Sequence, residues 1–106
     1  MTEPDDLPAA IRAAALGLDV TAVEANEDGT ISWSRNKVVF AVLQGGTAEF
    51  RIGRAIAEAA VRTPDTAPSG RGRDWVAFAP PMLDGHALDR LVAWFGAAHR
   101  RAVPDG

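Results

Sequence analysis

Ile31-Ser-Trp-Ser-Arg-Asn-Lys-Val-Val-Phe-Ala-Val-Leu-Gln-Gly-Gly-Thr-Ala-Glu-Phe-Arg-Ile52 carries three strand signals separated by two turn signals, and its reading decides the fold. Ile31 and Trp33 alternate with Thr30, Ser32 and Ser34, the pattern of a strand with one buried face. Arg35-Asn36 turns the chain, because asparagine tolerates a left-handed backbone. Lys37 to Leu43 is then the most buried strand, apolar on both faces. Gln44-Gly45-Gly46 makes a hairpin loop. From Thr47 to Ile52 the alternation is clean: Ala48, Phe50 and Ile52 face one way, Thr47, Glu49 and Arg51 the other.

Upstream, Leu7, Ile11, Ala14 and Leu18 recur at helical spacing. Asp5 and Asp6 precede them as capping acids, Pro8 fits a first turn and Gly17 marks a stop, so a helix is predicted near residues 6–16. Asp19–Val23 predicts a β-branched strand and Asn26–Gly29 a turn. Downstream, Gly53 ends the third strand, and Ala-rich Arg54–Arg62 predicts a helix with Ile56, Ala59 and Ala60 inward. Residues 63–72, with Pro64, Pro68, Gly70 and Gly72, read as the most mobile loop. Asp74–Phe78 returns to strand before Pro80-Pro81. Asp84 then caps a long helix reaching about Arg101, with Leu88, Leu91, Val92 and Phe95 as its core stripe and Trp94 at the edge of it. The tail from Val103 reads as loose. The expectation is one α+β domain over residues 1–106, ordered over about 6–101: an antiparallel meander sheet packed against an N-terminal and a long C-terminal helix.

The chain has room for one hydrophobic core and not for two. Its longest apolar run, Val38–Leu43, is far too short to span a bilayer, and the acidic start lacks the features of a signal peptide. With no cysteine, disulfides, thiolate metal sites and cysteine nucleophiles are excluded. A cytoplasmic location without membrane association is the resulting expectation. Net charge is −3 but uneven: residues 1–30 hold seven acids against Arg12, while residues 31–106 hold ten bases against seven acids.

No catalytic constellation stands out. His86 beside Asp84 reads as an exposed histidine next to a cap, and His99 with Arg100 and Arg101 complements the negative end of a helix dipole. On one helix the two histidines lie roughly 20 Å apart, so no metal site is argued from them. No hydroxyl sits in a nucleophile elbow, Glu49 and Glu58 read as solvated, and the glycine pairs lack the Lys-Ser/Thr of a phosphate loop. Trp33, Trp75 and Trp94 read mainly as core, with base stacking by Trp33 beside Arg35 and Lys37 as the alternative. No enzymatic activity, metal or other cofactor is expected.

The basic residues are the candidate site. Arg35 and Lys37 flank a strand turn, Arg51 and Arg54 end another strand, and Arg71 and Arg73 lie in a Gly-rich loop where backbone can approach a phosphate. If the loops project together, these six would bind phosphates weakly, without reading sequence. The alternative is a surface of mixed charge kept wet, with Arg54 paired to Glu58 one helical turn on.

Lys37–Leu43, the helix Ala55–Val61, Gly72-Arg-Asp-Trp-Val-Ala-Phe78, and Leu83-Asp84 leading into Ala87–Arg101 together resemble the YjbR/MmcQ family of small bacterial proteins. The resemblance covers about residues 30–101 and implies a frataxin-like α+β fold. Trp33-Ser-Arg-Asn36 lacks the proline usual before that family's central strands, so the register of residues 19–36 stays open. Members of that family are named as DNA-binding. The resemblance therefore implies a non-enzymatic module with weak, non-specific affinity for DNA or another polyanion. The alternative is a protein-interaction or regulatory domain with a protein partner.

Overall fold

The computed structural model describes residues 7–16, 18, 21–23 and 30–102. The acids Asp5-Asp6, Gly17, the Asn26–Gly29 turn and the tail from Val103 lie outside the described residues. In chain order the elements are α1 (Leu7–Ala15), β1 (Thr21–Val23), β2 (Ile31–Arg35), β3 (Val38–Gln44), β4 (Thr47–Arg51), α2 (Arg54–Ala60), β5 (Thr66–Pro68), β6 (Trp75–Phe78) and α3 (Gly85–Arg101). The strands form one antiparallel sheet in the order β1-β2-β3-β4-β6-β5, so the α+β class is as expected.

The β2–β3 hairpin closes on Asn36 and Lys37, both left-handed at φ 54° and 67°, the two-residue turn whose twist suits paired strands. Lys37 is therefore a turn residue and not the first of the strand. Beyond it the register slips: Ser34 faces Val39 but Trp33 faces Ala41, which leaves Phe40 as the extra residue of a β-bulge. The bulge turns Phe40 as well as Ala41 into the core, while Val39 is exposed. Burial on both faces thus fails at Val39.

The core lies between the sheet and the two outer helices. Phe95 is its hub, meeting Trp33, Phe40 and Phe50 edge-on at ring separations of 6.1, 5.3 and 6.4 Å. Trp94 packs edge-on against Phe78 at 5.2 Å and is buried, not marginal. The inward stripe of α3 is Ala87, Leu91, Trp94, Phe95 and Ala98; of the predicted stripe Leu91 and Phe95 are fully buried, Leu88 packs half-buried against the core, and Val92 is exposed. In α2 the buried residues are Ala57 and Ala60; Ile56 and Ala59 face out.

Residues 63–72 are not simply a loop, because they contain β5 at the sheet edge. Pro68, which has no N–H to offer, ends that edge strand. The approach to β5 is tied down as well: the Thr63 and Thr66 hydroxyls donate to the Ala60 carbonyl at 2.7 and 2.8 Å, and Arg90 donates to the Pro64 carbonyl at 2.6 Å. Among the described residues no helix is long and apolar enough to cross a membrane.

Candidate nucleic-acid interface

Antiparallel pairing decides where the basic residues go. Arg35, the last residue of β2, faces Val38, the first of β3; Arg51, the last of β4, faces Trp75, the first of β6; and Pro68, the last of β5, faces Val76. The β2–β3 turn, the start of α2 and the β5–β6 connection therefore share one end of the sheet. All of Arg35, Lys37, Arg51, Arg54, Arg71 and Arg73 lie at that end.

The last turn of α3 joins them. A Cβ on Gly53 would lie 2.7 Å from the Arg101 guanidinium carbon, so Arg101 belongs to the same cluster. Only the direction of α3 relative to the sheet brings it there, which sequence spacing does not show.

Each of the six has a different degree of freedom. Arg35 donates through Nη1 to the His99 carbonyl at 3.0 Å, so it satisfies the carboxyl end of α3. Arg51 faces Asp74 at 4.0 Å, and Arg54 pairs with Glu58 at 3.2 Å, as the helical spacing predicted. Arg71 donates through Nε to Glu49 at 3.0 Å, and Ser69 donates its hydroxyl to the other Glu49 oxygen. Glu49 is thus not a solvated acid: its side chain is 16% exposed and clamps the β5–β6 connection to the sheet. Lys37 and Arg73 are exposed and have no ion pair or hydrogen-bond partner among the described residues.

Trp33 cannot stack on a base, since it is 2% exposed and edge-on to Phe95. The aromatic side chain at the basic end is Trp75, half-buried, with the Arg71 guanidinium 5.7 Å from its ring centre. Trp75 also lines a cleft of about 370 Å³ together with Arg54, Ala57, Val61, Pro68 and Arg73. Its place at the start of a Trp-Val-Ala-Phe strand, in a Gly/Arg-rich context, was the available signal for this position.

The opposite end of the sheet differs in character. There Asp84 accepts from the Ala87 N–H at 2.9 Å, confirming it as the cap of α3, and His86 is exposed. Thr63, Asp65, Asp89 and Arg90 line a second cleft beside them. Among the described residues no group of three His, Asp or Glu side chains is placed to hold a metal ion. His99 is buried, its ring 5.7 Å from Phe40, and Arg35 meets its carbonyl near the end of the helix. Comparison with family models, with curated proteins and with solved structures yields no match to this chain.

Proposed function

We propose that the chain is a non-enzymatic module that binds nucleic acid at the basic end of its sheet, weakly and without reading sequence. The supporting observation is the strand register, which gathers six cations from three separate segments at one end. Lys37 and Arg73 lead, since no carboxylate among the described residues pairs with them. Arg54 and Arg71 contribute less, being already paired with Glu58 and Glu49. The resemblance to proteins named as DNA-binding points the same way.

Fluorescence anisotropy with duplex and single-stranded DNA tests the reading, starting at about 50 mM salt. Each phosphate neutralised contributes about −0.9 to the slope of log affinity against log salt, so Lys37→Ala with Arg73→Ala should flatten it by about 1.8. Arg35→Ala should leave the slope nearly unchanged, because that side chain is committed to the His99 carbonyl. Absence of binding at low salt would sink the reading and leave a protein partner as the one to pursue.

A further inference from the structure

We infer that the cleft between α2 and the β5–β6 connection seats one unstacked nucleobase against Trp75, which makes single-stranded nucleic acid the preferred ligand of this end. The inference rests on the nucleic-acid reading above and narrows it. Trp33 and Trp94 are 2% and 9% exposed, whereas Trp75 is only half-buried and forms a wall of the cleft. An indole offers a stacking surface that any base can use, so the contact carries affinity without sequence preference.

The platform is set before a ligand arrives. Arg71 lies over the indole and is itself held by Glu49, so the ring is backed by a fixed cation. Gly72 passes beside the ring at φ 149°, a backbone conformation that side chains rarely adopt, and a Cβ there would approach the indole to 3.7 Å. That φ, rather than the ordinary 3.7 Å contact, is what calls for glycine in the connection.

The chemistry of the lining selects the occupant. Ala57, Val61 and Pro68 supply apolar surface, and Arg54 and Arg73 supply positive charge. Glu58 lies on the same lining and pairs with Arg54, so a bare phosphate is repelled from that side and is drawn toward Arg73. A planar neutral body carrying an anion fits this arrangement. The volume, about 370 Å³, falls in the range of roughly 300–1,000 Å³ typical of small-molecule sites. In a duplex the bases are stacked on one another and cannot offer a face to Trp75, so only the outer cations would engage.

The test titrates the full chain with oligothymidylate, a duplex of the same length and free thymidine monophosphate, reading tryptophan emission and anisotropy at about 50 mM salt. The single strand should quench Trp75 and bind at least about five-fold more tightly than the duplex, and Trp75→Ala should weaken it by about 5- to 150-fold with duplex affinity unchanged. Trp75→Phe should keep most of the single-strand affinity while abolishing the quenching. Should Trp75→Ala fail to fold, the wild-type quenching and Trp75→Phe still decide. Unchanged emission at saturation, or equal affinity for both forms, overturns the inference while the nucleic-acid reading stands. A monophosphate that binds as tightly as the oligomer overturns it in favour of a small-molecule site. If neither nucleic acid binds, both readings fall.

Discussion

Replacing Lys37 with glycine should stabilise the fold and weaken DNA binding at once. Lys37 is the second residue of the β2–β3 turn, at φ 67°. In that conformation the Cβ of an L-residue crowds the following carbonyl, at about 1–2 kcal/mol. Glycine escapes the crowding but loses more freedom on folding, about 0.5–1 kcal/mol. The difference is a gain centred near 0.75 kcal/mol, which at about 4–8 °C per kcal/mol raises Tm by roughly 3–6 °C. The same change removes one of the two cations of the six that lack a partner among the described residues, so the salt slope of DNA binding should flatten by about 0.9. Thermal unfolding followed by circular dichroism, with Asn36→Gly alongside, checks the stability half. Asparagine already tolerates a left-handed backbone, so that control should gain less. A lower Tm for Lys37→Gly, or a gain no larger than the control's, would refute the reasoning; an unchanged salt slope would remove Lys37 from the interface.

Arg35→Ala should lose about 1–3 kcal/mol, because the His99 carbonyl loses a charged donor, and urea unfolding would show it as a lower midpoint. Glu49→Gln should release Arg71 and Ser69 together; amide exchange over residues 69–72 should quicken and DNA binding tighten, with a stability loss of about 1–2 kcal/mol. Unaltered exchange there would show that the clamp does not hold the connection. Gly53→Ala should cost at least about 1 kcal/mol, since φ is 94° and the new Cβ meets the Arg101 guanidinium. Phe95→Ala removes the aromatic hub and should cost about 3–5 kcal/mol, by the same urea measurement.

What was legible in the sequence depended on contrast. β2 and β4 alternate sharply, and Asn36 and Gly45-Gly46 separate the strands, so the meander was readable residue by residue. β5 was not, because three residues are too few to show a period and Pro68 argues against a strand. The inward face of α2 was misplaced since a run of alanines has no hydrophobic contrast between its sides. The stripe of α3 slipped because Val92, Trp94 and Phe95 allow two faces, and only the sheet opposite chooses between them. For the site, all six basic residues were readable as a set. Their partners were not: Glu49 and Arg71 are 22 positions apart and meet only after the sheet forms. That Trp33 is enclosed while Trp75 stays half-buried beside the basic residues showed only in the packed structure.

The position of Phe95 in the chain also sets when folding can begin during synthesis. Phe50, one of the rings it meets, leaves the peptidyl-transferase centre 45 residues earlier. At about 5–20 residues per second that is a wait of roughly 2–9 s. Throughout it Trp33, Phe40 and Phe50 have been translated without the ring that packs against all three. Strands without a helix to cover their apolar side are marginal in water. A ribosome stalled before residue 95 would therefore display a sticky nascent segment, a natural substrate for chaperones, and release of α3 is the event that commits the domain to its native state.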